Sequence, residues 1–163
     1  MNLCHLWNLW MRSFAGPANA MKSVPVYGAT VAYGTGGVEW RAGQPLLVFL
    51  HGAGGDHTVW ALQARARAQH GWNVAAPDLP GHGRSADAPR LGSIEALADW
   101  VAAFVAALPT TLPAGADGPR VALVGHSMGA CIALTLAARR AERPEGIVRA
   151  LVLVGAGETM RVH

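Results

Sequence analysis

The sequence predicts an α/β fold, a mostly parallel sheet with helices on both faces. Three observations lead there. Short apolar runs, Leu46–Leu50 (LLVFL) and Val121–Val124 (VALV), read as strands buried on both sides, and the mostly apolar Val148–Val154 (VRALVLV) reads as the last strand. Between them lie longer stretches with apolar residues at three- and four-residue spacing, the helical period. Strand and helix alternate along the chain, the pattern of parallel strands joined by helical crossovers. A composition of 52% hydrophobic and 14% charged residues is a globular balance and excludes a disordered chain. The 163 residues are about one domain's worth, and no apolar run reaches the roughly 18 residues of a membrane-spanning helix.

The elements follow in order. Residues 1–20 stand apart: they hold two of the six tryptophans and no acid, and they end in Ala18-Asn19-Ala20, which resembles a signal-peptidase site. The segment lacks a positively charged start, and His5, Asn8 and Arg12 interrupt its apolar stretch. An upstream-start extension, with the fold beginning at Met21 and running over 21–163, is therefore the preferred expectation over a secretory leader. Val24–Tyr27 and Gly28–Tyr33 read as a hairpin. Leu46–Leu50 is the first buried strand. Asp56 has the chemistry to cap a helix from about His57 to His70, stopped by Gly71. Asn73–Ala76 is the next strand. Ser93 caps a helix whose Ile94, Leu97, Trp100, Val101, Phe104 and Leu108 share one face. Thr110–Pro119 is a Pro/Gly-rich loop, Val121–Val124 a strand, Met128–Arg140 a helix and Val148–Val154 the last strand.

Charge and cysteines narrow the function classes. The net charge of +3 comes from twelve scattered arginines and the single lysine Lys22, against ten acids. Arg139, Arg140 and Arg143 fall late in a helix, where cations suit the dipole, and no aromatic-interleaved basic stripe is present. No nucleic-acid partner is expected. Cys4 and Cys131 make neither a disulfide framework nor a zinc site, so a reducing, cytoplasmic setting is expected, with secretion through residues 1–20 as the alternative.

The chemistry concentrates at the ends of the buried strands. Gly125-His126-Ser127-Met128-Gly129 is a G-x-S-x-G between VALV and an apolar helix. Turning from strand to helix in one step strains the serine backbone and leaves no room for side chains two residues to either side. Ser127 is thereby exposed at a helix N-terminus as the candidate nucleophile, and the Met128 amide faces the place where a tetrahedral oxyanion forms. His51-Gly52-Ala53-Gly54-Gly55 follows LLVFL; its small residues let backbone amides face a pocket, with Ala53 as the second candidate donor. Asp78-Leu79-Pro80-Gly81-His82-Gly83-Arg84-Ser85 reads as architectural, with Asp78 and the glycines shaping a tight loop and Arg84 anchoring it.

HGAGG, DLPGHGRS and GHSMG, each at the end of a buried strand, together resemble the α/β-hydrolase fold family, and within it bacterial single-domain esterase-like members, from about Tyr27 to the last residue. The resemblance implies Ser127 as nucleophile, an oxyanion hole from the Ala53 and Met128 amides, and a sheet of eight strands. It also implies an acid after a later strand and a histidine in a loop after the last one. The matched strands reach only the sixth, so the fold is expected to be truncated there, with VRALVLV a bare apolar edge that invites pairing with another chain.

No histidine in the sequence takes the base's place readily. His126 adjoins Ser127 on a sharp turn and is expected to pack or bond nearby backbone, and His51 to support loop geometry. His82 sits in a partly exposed turn, His57 and His70 bracket a helix, and His5 and His163 lie near the ends. Losing the histidine of a serine protease costs roughly a million-fold in turnover, so the chain alone is expected to be nearly inactive. Cys131 reads as a small core residue.

The leading expectation is the nucleophile-bearing part of a serine hydrolase acting on a small-molecule carboxylic ester or related acyl compound through an acyl-Ser127 intermediate. A serine where the dehalogenase and epoxide-hydrolase branches use aspartate argues against those branches. The alternatives are a non-catalytic, hydrolase-like binding or assembly module that dimerises through the open edge, and a degenerate product without a stable fold. No metal-ligand spacing and no Gly-x-Gly-x-x-Gly after a strand occurs, so no cofactor or metal is expected, and no membrane partner.

Overall fold

A computed structural model of the chain describes residues 21–109, 121–141 and 148–156. The first two strands, β1 (Met21–Val26) and β2 (Ala29–Gly34), form an antiparallel hairpin that starts earlier than the apolar pattern alone indicates. Its two-residue turn puts Tyr27 at φ 49° and Gly28 at φ 81°. Positive φ at both positions gives the turn a twist matched to that of the strands it joins.

The core of the molecule is the parallel part. In chain order it comprises β3 (Leu46–Leu50), β4 (Asn73–Pro77), β5 (Val121–His126) and β6 (Val148–Val154). Together with the hairpin they make a six-stranded sheet in the order β1-β2-β4-β3-β5-β6, parallel from β4 to β6. The helices are α1 (Ala61–Gln69), α2 (Ile94–Ala107) and α3 (Met128–Ala141). Ser93 accepts from the Ala96 amide, the N-cap expected from its residue type.

Period-two alternation sorts each central strand between two cores. Leu46, Val48 and Leu50 of β3, with Val121 and Leu123 of β5, meet Ala98, Val101 and Phe104 of α2 and Ile132 and Ala133 of α3. Leu47 and Phe49, with Val74, Ala76 and Val124, meet Trp60, Ala64 and Ala68 on the opposite face. Helices therefore cover both faces, as the sequence predicts. Each large aliphatic side chain removed from water here contributes about 1.5–3 kcal/mol before entropy is charged against it.

Three expectations change in detail. The helix expected from His57 opens instead as a 3-10 turn, His57–Trp60, and becomes α-helical only at Ala61. Asp56 accepts from the Thr58 amide, while the His57 amide is drawn off by Asp78 from another loop. Cys131 is half-buried, not a core residue. Arg139 pairs with Asp99 on α2, a tertiary partner beyond the helix-dipole account of its position. Residues 1–20 and the Thr110–Pro119 loop lie outside the described residues. Among the described residues β6 pairs only with β5, and Val152, Leu153 and Val154 are exposed, as the bare-edge reading expects. No helix among them is long and apolar enough to cross a membrane.

Candidate active site

Strands β3 and β5 are neighbours, in register from Leu46 opposite Val121 to Leu50 opposite Gly125. From the carboxyl end of β3 the chain turns to α1 on one face of the sheet; from β5 it turns to α3 on the other. Adjacent strand ends whose connections diverge in this way open a crevice between them, the usual ligand position in a parallel sheet. All three candidate residues read from the sequence stand at this crevice.

Ser127 sits between β5 and α3 with φ 53°. A non-glycine residue in the left-handed region costs on the order of 1–3 kcal/mol, so the surrounding structure must hold it there. The Ser127 amide donates to the Val154 carbonyl at 3.0 Å, and its own carbonyl accepts from the Ala130 and Cys131 amides at 2.9 and 3.2 Å. The flanking glycines are required by close approach. A Cβ on Gly125 would lie 2.2 Å from the Gly129 carbonyl oxygen, and one on Gly129 would lie 2.3 Å from that of Leu50. The first turn of α3 is thus seated directly on the end of β3. Met128 opens α3, so its amide has no acceptor within the helix.

The loop after β3 closes on itself: the Gly55 amide donates to the Gly52 carbonyl at 3.1 Å, with Gly54 at φ 72°. A glycine of positive φ at the third position is the pattern of a type II turn, and it leaves the Ala53 amide uncommitted within the turn. Ala53 itself is exposed. The turn lies against the serine, for a Cβ on Gly52 would come within 3.2 Å of Ser127 Cβ.

The histidines are largely engaged elsewhere. His51 is fully buried; its Nδ1 lies 2.8 Å from the Gly52 carbonyl, and its Nε2 accepts from the Leu79 amide at 3.0 Å. Burial lowers its pKa, opposed by the Gly52 carbonyl bond and reinforced by nearby His82. His57 Nδ1 donates to Asp78 Oδ1 at 2.8 Å, His70 Nδ1 meets the Ala66 carbonyl, and half-buried His82 turns its Nδ1 to the Pro80 carbonyl. His126, expected to pack or to bond backbone, is exposed as a residue, while its ring passes close to Gly52 and Gly155. Among the described residues no histidine hydrogen-bonds Ser127 Oγ.

The architectural reading of the 78–85 loop is visible at Asp78, which is fully buried and accepts from the His57 amide at 2.7 Å and the Arg84 amide at 2.8 Å. Arg84 anchors the loop through its backbone; its side chain is exposed. Asp56, His57 and Asp78 bring one potential metal-ligand atom each within 4.8 Å, a grouping accounted for by these hydrogen bonds and by Thr58 on Asp56. The Thr58 hydroxyl and amide lower the Asp56 pKa. The sequence reading missed the bond between His57 and Asp78. The available signal was a histidine one residue after a capping aspartate, facing an acid at the end of the next strand.

This crevice sets a strained serine on a strand-to-helix turn beside a glycine-rich loop, at the carboxyl end of a mostly parallel α/β sheet. The family model described as alpha/beta hydrolase fold matches residues 45–163, and the chain belongs to that family. It is 37% identical over 103 residues to the dihydrolipoyllysine-residue acetyltransferase component of the acetoin cleaving system of Pseudomonas putida, covering 63% of this chain and 25% of that protein. It is 37% identical over 114 residues to lipase LipV of Mycobacterium tuberculosis, covering 69% of this chain and 38% of the lipase. Among solved structures it resembles a bacterial membrane phospholipase A, with a TM-score of 0.65 and 32% identity over 93% of this chain and 43% of that one. The chain thus spans from a quarter to about two fifths of the length of these relatives.

Proposed function

We propose that this chain carries the nucleophile and oxyanion-binding part of a serine hydrolase that acts on a carboxylic ester or related small acyl compound. Ser127 Oγ attacks the acyl carbon and the carbonyl oxygen becomes an oxyanion facing the Ala53 and Met128 amides. The alcohol then leaves with a proton, and water cleaves the acyl-Ser127 ester, releasing the acid and regenerating the hydroxyl. The observation that carries this reading is the strained Ser127 backbone at φ 53°, held against the Gly52–Gly55 turn. Strain of this kind is retained where exposing a hydroxyl at a sheet end repays it. The lipase and phospholipase among the relatives support the ester class.

A second reading, a non-catalytic hydrolase-like module, draws support from two observations: no described histidine reaches Ser127 Oγ, and the β6 edge exposes Val152, Leu153 and Val154. One experiment separates them. The chain is treated with a fluorophosphonate and digested, and the modified peptide is sequenced, with Ser127→Ala alongside. Labelling at Ser127 that disappears in the variant, together with weak but Ser127-dependent hydrolysis of p-nitrophenyl esters, is the hydrolase outcome. A folded chain that never labels, and that elutes as a dimer, is the outcome for the module.

A further inference from the structure

The loop that carries Ala53 has little order of its own. Three of its four residues from Gly52 to Gly55 are glycines, which lose more conformational freedom on ordering than any other residue. Its geometry must therefore be imposed at its ends, and both ends are tied to the same neighbour. At the start, His51 Nε2 accepts from the Leu79 amide at 3.0 Å. At the finish, the His57 amide and Nδ1 donate to Asp78 Oδ1 at 2.7 and 2.8 Å. Asp78 Oδ2 is held in turn by the Arg84 amide. Both His51 and Asp78 are fully buried.

The chemistry of the His51 contacts fixes its tautomer. A carbonyl only accepts, so Nδ1 must carry the proton given to Gly52; an amide only donates, so Nε2 must be bare to receive Leu79. No nitrogen is left to take a proton from a nucleophile. We infer that His51, as the Nδ1–H tautomer, and Asp78 are positioning residues that strap the 51–57 segment onto the loop after β4 and thereby set the Ala53 amide. The use of that amide as an oxyanion donor rests on the hydrolase reading above; the strap itself does not.

A pH dependence follows. Protonating Nε2 turns the acceptor into a donor pointed at another donor and breaks the Leu79 bond. The groups facing the ring are His82, with ring centroids 5.1 Å apart, together with Asp78 and Asp56 on the two strapped loops. Burial outweighs the acids and favours the neutral ring. The folded-state pKa lies below the unfolded one, so the fastening is complete above the ordinary histidine range and is lost as pH falls below it.

The test is nitrogen NMR on the whole chain with labelled histidine and backbone amides, titrated downward from neutral pH. The expected result is a bare Nε2 and a protonated Nδ1 on His51, with the Ala53 and Gly54 amide signals moving at the same midpoint as the ring. A protonated Nε2 at neutral pH, or Ala53 signals that stay fixed while the ring titrates, would overturn the proposal. Should the sheet melt before the ring titrates, two variants decide. In His51→Phe, which fills the space without an acceptor, amide exchange across Gly52–Gly55 should quicken about tenfold, the worth of one buried hydrogen bond. His51→Gln, whose Oε1 can still accept from Leu79, should remain near the parent. Equal exchange in all three proteins refutes the strap. None of these readouts uses catalysis, so a Ser127 that fails to label removes the hydrolase reading alone.

Discussion

Strands β3 and β6 have nearly the same apolar character, LLVFL and VRALVLV, yet occupy opposite environments. Every residue of β3 is buried, with β4 and β5 on either side and helices above and below. In β6 only Val148 is fully buried among the described residues; Leu151 is half-covered by the α3 side, and Val152 is 51% exposed. Both strands obey the same alternation: Val152 stands opposite Val124 on the α1 face, and Leu151 opposite Leu123 on the α3 face. An apolar run therefore reports what a strand is able to bury. How much it does bury is set by neighbours that the run itself does not encode.

The largest test of this contrast is Leu46→Ala on β3. Its side chain is 0% exposed in the α2/α3 core, and its loss should cost about 2–5 kcal/mol, read as a fall in denaturant midpoint at unchanged slope. Next is Gly129→Ala, which drives a Cβ into the Leu50 carbonyl where α3 is seated on β3. Overpacking of this sort costs about 1–3 kcal/mol or more, and here it should also weaken labelling of Ser127. Ser127→Gly runs the other way: relief of the left-handed backbone should raise stability by about 1 kcal/mol while removing the fluorophosphonate labelling expected of the proposed function, which Ser127→Ala should remove without that gain. The smallest effect is expected on β6, where Val152→Thr should stay within about 0.5 kcal/mol of the parent. A Val152→Thr loss comparable to that of Leu46→Ala would mean that β6 is covered in solution and would break the comparison.

Much of this was legible from residue types. The bounds of β3 and β6 coincide with the runs read from the sequence: LLVFL has no polar residue to blur its limits, and in VRALVLV the one charged residue, Arg149, stands inside the run and not at its end. The elbow at Ser127 was legible for a related reason: two close backbone contacts leave only glycine possible at 125 and 129, and a sequence displays that constraint openly. What depends on a distant partner was not legible. The 3-10 opening of the α1 region follows from Asp78 taking the His57 amide, twenty-one positions away. The anchoring of the 78–85 loop through the Arg84 amide looks, in sequence, like a role for its guanidinium. The exposure of His126 is equally silent, since a histidine beside a serine on a tight turn looks the same in sequence whether it packs inward or projects outward.

The pairing of β3 with β5 has a consequence in time as well as in space. Ser127 and the Gly52–Gly55 turn meet only because Leu50 stands opposite Gly125, and those strands are separated in the chain by β4, α1 and α2. A slip of one residue would carry the serine about 3.3 Å along the strand and exchange the two faces of β5, so the register has no tolerated neighbour. Parallel pairing across so long a connection forms slowly compared with a local hairpin. The β1–β2 ribbon can assemble early from adjacent residues, whereas the serine and its facing loop come together late on the folding path, after the crossover has closed. A partly folded chain would therefore retain the hairpin and lack the crevice altogether.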